Sequence, residues 1–219
     1  MKTCLIVTGG KLDLAFAQSF LKTNKIDKII AVDGGLAFAE ALGLVPDYIV
    51  GDFDTVHSDV IERFRTIPYI VWEKHKPEKN ETDTELARSR AMTLGCGRII
   101  FLGATGGRLD HMLGNIHALY SCMQSGVEAW IVDAQNRIYL LDQGKTFERK
   151  DTFGTYISFL PYTEEVREIT LKGFKYPLDK KTIRRGEEVG LCISNELHED
   201  RAELTFQAGI LICVESKDA

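Results

Sequence analysis

"YIVGDFDTV", residues 48–56, is an apolar run that stops at Gly51 and then presents two aspartates one residue apart. The run has the composition of a buried strand. Charges placed directly after it repel each other and are costly to desolvate, so their position asks for a chemical reason. Working outward, similar runs recur as "CLIVT" (4–8), "KIIAV" (28–32), "PYIVW" (68–72), "RIIFL" (98–102) and "AWIV" (129–132). Between them lie "LDLAFAQSFLKTN" (12–24), "LAFAEALG" (36–43), "SDVIERFR" (58–65), "ETDTELARSRAMTLG" (81–95) and "LDHMLGNIHALYSCMQSG" (109–126). These intervening stretches repeat apolar residues at three and four, and glycine closes several of them, as helices require.

Six strands and five crossovers predict an α/β fold, a Rossmann-like doubly wound parallel sheet with helices on both faces. After "DAQN" (133–136) the texture changes to "RIYLLD", "KTFERK", "TYISFLPY", "EEVREITLKG", "EEVGLCISN", "RAELTFQAG" and "ILICVES". Short alternating segments broken by glycine, proline and charge predict a small antiparallel β-sandwich. The expected domains are 1–135 and 136–219, with no linker or internal repeat between them.

The chain has 219 residues, 44% of them hydrophobic, so it can bury one large or two modest cores. With 27 basic against 32 acidic side chains and no basic run, nucleic acid is not an expected partner. The start, "MKTCLIVTGGKLD", has an apolar stretch too short for a signal-peptide core or a membrane span, and the expected location is the cytoplasm. Cys4, Cys96, Cys122, Cys192 and Cys213 form no CxxC pair and read as reduced core residues.

In an open parallel sheet, ligands bind beyond the carboxyl ends of the strands. "VDGG" (32–35), "GDFDT" (51–55), "KNETDTE" (79–85) and "GATGGRLDH" (103–111) all fall at that edge, gathering Asp33, Asp52, Asp54, Asp83, Asp110 and Arg108. If residues 52–54 are extended, Asp52 and Asp54 share a face while Phe53 points into the core. A divalent cation relieves their repulsion, and magnesium suits one or two carboxylates together with substrate phosphates. "GATGGRLD" adds glycine N–H groups, a helix N-terminus and the Arg108 guanidinium for phosphate. Thr82 and Glu85 have a second explanation as a helix capping box.

Taken together, "VDGG", "GDFDT", "ETDTELA" and "GATGGRLDHMLGN", with "LKGFKYPL" (171–178) and "GLCISNEL" (190–197), resemble the thiamine pyrophosphokinase family over nearly the whole chain. The resemblance implies magnesium-dependent transfer of the pyrophosphoryl group of ATP to the hydroxyl of thiamine, releasing AMP. It also implies a homodimer whose sites join the first domain of one subunit to the second domain of its partner. By resemblance, Asp52, Asp54 and Asp83 organise the metal, Asp110 completes the acidic site and Arg108 holds phosphate. Asp33, Gly34, Gly35, Thr105, Gly106 and Gly107 line the same cleft, while Ser194 and Asn195 recognise the aminopyrimidine. A hydroxyl and an amide suit a heterocycle that both donates and accepts hydrogen bonds. The sequence identifies no aromatic platform for the thiamine rings: Trp72 and Trp130 lie outside the second domain, and Phe174, Tyr176 and Phe206 read equally well as core residues. Two other enzyme readings stand beside this one. One is a pyrophosphokinase for another hydroxymethyl heterocycle such as a pterin; the other takes "GDFDT" as the start of a haloacid-dehalogenase-like phosphatase.

Overall fold

In the computed structural model, which describes residues 1–54, 56–75 and 80–218, the chain divides into two units, Met1–Ala134 and Gln135–Ala219. In the first unit the apolar runs become β1 (Thr3–Val7), β2 (Lys28–Val32), β3 (Tyr48–Gly51), β4 (Val71–Lys74), β5 (Arg98–Leu102) and β6 (Glu128–Val132). They pair in parallel in the order β6-β5-β1-β2-β3-β4. The crossovers carry α1 (Leu14–Thr23), α2 (Gly35–Ala41), α3 (Ser58–Arg65), α4 (Asp83–Thr93) and α5 (Leu109–Gln124).

Side chains alternate across a strand, so neighbouring residues report which helix covers which face. Ile49 and Trp72 pack with Leu36 and Ala39 of α2 and with Val60 and Phe64 of α3. Tyr48 and Glu73, each one residue away, meet α4 instead: Arg90 lies 5.4 Å over the Tyr48 ring and pairs with Glu73 at 2.6 Å. Helices therefore cover both faces, as a doubly wound sheet requires. Strand β4 begins three residues later than "PYIVW" suggests. Pro68 lacks a donor, Tyr69 is exposed, and Ile70 N–H closes a turn on the Ile67 carbonyl.

The second unit contains β7 (Asn136–Leu141), β8 (Lys145–Glu148), β9 (Tyr156–Pro161), β10 (Glu165–Lys172), β11 (Leu178–Arg184), β12 (Asn195–Glu196), β13 (Arg201–Thr205) and β14 (Leu211–Ser216). Two layers of antiparallel strands, β12-β9-β14-β7 and the four-stranded sheet β11-β10-β13-β8, form a sandwich. Phe147 of β8 and Phe159 of β9 meet across it with ring centres 5.8 Å apart, and Phe174 contacts both. The carboxylate of Glu215, 1% exposed, is satisfied by Arg137 Nη2 (2.6 Å), the Tyr139 hydroxyl (2.6 Å) and Phe153 N–H (2.7 Å). "EEVGLCISN" does not form the expected strand. Glu188 and Ser194 take φ of 44° and 54°, the chain makes a 3-10 turn at Val189–Cys192, and only β12 remains extended. All five cysteines are buried and free. Among the described residues no helix is long and apolar enough to cross a membrane.

Candidate active site

Strand β1 sits between β2 and β5, so the chain reverses its direction of travel across the sheet at the β1/β5 boundary. Ligands of open α/β sheets bind at such a switch point, outside the carboxyl ends of the two strands. The walls available to a ligand there are the segments following β1 and β5, which are laced to each other by Thr8 N–H to Leu102 O (2.9 Å), Gly10 N–H to Gly103 O (2.8 Å) and Lys11 N–H to Thr105 O (3.0 Å). The approach leaves no space for side chains: a Cβ on Gly10 would lie 2.2 Å from the Gly103 carbonyl oxygen. A Cβ on Gly9 would in turn fall 3.2 Å from the α-carbon of Gly34, which ties this wall to the segment after β2. Gly9, Gly10 and Lys11 were not among the sequence candidates. Their signal is a glycine pair directly after a strand, the same pattern that singled out "VDGG".

Asp33 follows β2 in the left-handed region (φ 43°), with its Oδ1 against the α-carbon of Gly51, where a Cβ would fall 1.7 Å away. That Oδ1 is buried and has no hydrogen-bond partner among the described residues. Burial first, then the nearby carboxylates of Asp83 and Asp52, push Asp33 up to about 6, although the Phe53 N–H bonded to it pulls the other way. Asp83 arrives from the first turn of α4. Thr82 caps that helix, with Glu85 N–H to Thr82 Oγ1 at 3.2 Å and Thr82 N–H to Glu85 Oε2 at 2.8 Å, a complete capping box. Thr82 and Glu85 are thus accounted for by the helix start, and Asp83 is the residue delivered to Asp33.

The extended reading of residues 52–54 fails. Phe53 has φ 68°, and the bend lets Asp54 N–H bond to Asp52 Oδ1 at 3.2 Å, so the two carboxylates do not simply share a face. Phe53 does turn inward, edge-on to Trp72 with ring centres 5.3 Å apart. Left-handed non-glycine residues cost free energy, and Asp33, Phe53 and Ser194 all lie at sequence-predicted sites. Thr55 and Lys79, in the motifs quoted above, fall outside the described residues.

The segment after β5 departs from expectation in its pairings. Arg108, at the N-cap of α5, binds Asp110 through Nε (3.1 Å) and Nη2 (2.5 Å), which holds the Asp110 carboxyl down at about 2. Both side chains are exposed, and their contacts are with each other and with His111 N–H rather than with Asp33 or Asp83. Thr105 is buried, and its hydroxyl donates to Asp133 at 2.7 Å. Gly106 and Gly107 turn with φ of 73° and 71°. Asn115, which the sequence did not single out, holds this turn from α5 through Nδ2 to the Ala104 carbonyl at 2.9 Å.

In the second unit Asn195 is 1% exposed. Its Oδ1 accepts from Tyr176 N–H (3.0 Å) and Glu196 N–H (2.9 Å), and Nδ2 donates to the Tyr176 carbonyl (2.8 Å). An amide so committed positions the 174–177 segment. Ser194, beside it, has its N–H fixed on Ser158 Oγ at 3.0 Å. Phe174 is a core residue, 4% exposed, whereas Tyr176 is 55% exposed.

Among the described residues no three His, Cys, Asp or Glu side chains form a ready-made metal cage. The donor set nevertheless fits magnesium, which takes only one or two protein carboxylates and draws its other ligands from water and phosphate. The buried Oδ1 of Asp33, without a hydrogen-bond partner among the described residues, and the nearby carboxylates of Asp83 and Asp52 that raise its pKa mark a place suited to a cation.

Residues 20–131 match the family model for the thiamin pyrophosphokinase catalytic domain, and residues 145–211 that for the thiamin pyrophosphokinase vitamin B1 binding domain. The chain is 37% identical to the thiamine pyrophosphokinase of Bacillus subtilis over 219 residues, all of both chains. The crystal structure of a Bacillus subtilis thiamine pyrophosphokinase superimposes with TM-score 0.88 at 34% identity, covering 100% of each chain. That from Geobacillus thermodenitrificans gives 0.85 at 33% identity, covering 99% of this chain and 98% of the other.

Proposed function

The chain belongs to the thiamine pyrophosphokinase family, and from that premise we propose that the first unit holds the nucleotide and the second the vitamin. The activity is transfer of the pyrophosphoryl group of ATP to the hydroxyl of thiamine, giving thiamine diphosphate and AMP. The pterin and phosphatase alternatives are left without support.

The observation that carries the site assignment is the convergence of the Asp33, Asp52 and Asp83 carboxylates beside the glycine contacts of the segments after β1, β2 and β5. Asp52, Asp54 and Asp83, with Asp33, hold magnesium, which when bound neutralises the phosphate charge and orients the chain of phosphates. Arg108 turns from Asp110 to the phosphates, exchanging one anionic partner for another. Gly106 and Gly107, at the start of α5, offer backbone N–H groups to the same oxygens. The thiamine oxygen attacks the β-phosphorus as the AMP oxygen leaves opposite. Positioning and charge neutralisation carry most of the catalysis. Tyr176 supplies an exposed ring for the heterocycle, Ser194 a hydroxyl, and Asn195 keeps both in place. The working unit is a homodimer in the cytoplasm, each site shared between subunits.

The test is an incubation of purified protein with ATP, magnesium and thiamine, followed by identification of the nucleotide product. AMP and thiamine diphosphate are expected in equal amounts, with none after chelation. Release of ADP or inorganic phosphate would overturn the reading.

A further inference from the structure

We propose that Lys11 is a phosphate-binding residue of the nucleotide site, an assignment that rests on the nucleotide binding beyond the carboxyl ends of β1 and β5. The backbone of Lys11 is pinned to the far wall through its N–H on the Thr105 carbonyl (3.0 Å). Its aliphatic stem then runs flat across Gly106: a Cβ built there would lie 2.8 Å from Lys11 Cβ and 2.9 Å from both Cγ and Cδ. Glycine at 106 is therefore required by this lysine as well as by its own φ of 73°. The ammonium at the end of that stem has no hydrogen bond or ion pair among the described residues. Asp13, the nearby acid in sequence, is occupied in capping α1, its Oδ1 accepting Phe16 N–H at 2.9 Å. A lysine anchored by its stem gives up less side-chain entropy on binding than a free one.

The charge balance gives this cation its task. Arg108, the other cation of these walls, is engaged by Asp110, and the neighbouring segments contribute Asp33, Asp52 and Asp83. A polyphosphate entering that acidic surface needs positive charge beside it, and an ammonium can meet phosphate oxygens with three donors. Lys74 also closes a strand at this edge, but β4 is the outermost strand, three removed from β1.

Lys11→Met keeps the stem over Gly106 and removes the charge, and Lys11→Arg keeps the charge. Lys22→Met, at the opposite end of α1, controls for net charge. Calorimetric titration with ATP, alone and with magnesium, reads binding without turnover. Lys11→Met is expected to bind ATP about tenfold more weakly, the loss of one charge-assisted contact, with Lys11→Arg close to wild type. Steady-state assays should show the KM for ATP rising while the KM for thiamine holds. Unchanged ATP affinity in Lys11→Met overturns the proposal, as does an equal rise in both KM values, which would mean a disturbed fold. Wild type that makes thiamine diphosphate while Lys11→Met titrates normally sinks this inference alone. Wild type that binds ATP through Lys11 but makes none sinks the site reading instead.

Discussion

Asp33 occupies a position where its charge is unwelcome, and that sets a pH dependence with a definite sign. Its folded value of about 6 lies above the ordinary carboxylate range, so between roughly pH 4 and pH 6 the folded chain holds a proton that the unfolded chain has released. The stability associated with Asp33 is therefore full below the unfolded value, declines as pH rises through about 6, and stays low above it. Asp33→Asn removes this burden. In chelator, its melting temperature is expected to exceed that of wild type at about pH 8, with the gap closing toward about pH 4.5, while turnover falls. Calorimetric scans across that range decide it, and an Asn variant no more stable than wild type at the alkaline end contradicts the assignment. The sequence exposed Asp33, Asp52 and Asp83 through their places after strands and at a helix start. It concealed the left-handed turn at Phe53, since phenylalanine carries no local preference for that conformation. It also concealed the Arg108–Asp110 pair, which depends on side-chain directions at the start of α5.

At the scale of elements, the three segments after β1, β2 and β5 meet through glycine, and each contact has a checkable requirement. A Cβ on Gly35, the first residue of α2, would fall 2.0 Å from the Val7 carbonyl oxygen, a backbone atom that cannot move aside without bending β1. Gly114 of α5 has nothing within 4 Å of the same position. Gly35→Ala is thus expected to lose at least about 1–3 kcal/mol of stability, whereas Gly114→Ala gains about 0.5–1 kcal/mol from helix propensity. Denaturant unfolding of the two variants separates close packing from propensity, and similar effects in both would refute the contact. Elements with strong local periodicity were fully legible: "KIIAV", "RIIFL" and "SDVIERFR" coincide with β2, β5 and α3 residue for residue. Strand β11 was not, because "LDKKTIR" is an edge strand, largely exposed and broken by a left-handed Lys180, and shows no apolar alternation. Nothing in "ISNEL" reveals that the Asn195 amide closes on Tyr176, nineteen residues earlier.

For the whole molecule, the proposed sharing of sites between subunits makes a quantitative forecast. Asp52→Asn damages only the first unit, and Tyr176→Ala only the second. In a mixed dimer with shared sites, one site carries both lesions and the other neither. Two nearly inactive parents, unfolded and refolded together in equal amounts, should recover about a quarter of wild-type activity under random pairing. Differential tags establish that mixed dimers form; parental activity in such dimers would place each site within one chain. The division into a parallel-sheet unit and a sandwich was readable from the change in periodicity after residue 136, whereas an assembly leaves no periodic trace in the chain. The central place of β1 has a kinetic consequence. Its five residues are wholly buried, yet one flank, β5, lies some ninety-five residues downstream, Cys4 opposite Ile99. During synthesis this apolar ribbon leaves the ribosome early and waits with an open edge until Leu102 emerges. The sheet therefore closes late, with high contact order, and the waiting edge is where a nascent or truncated chain is most exposed to pairing with another.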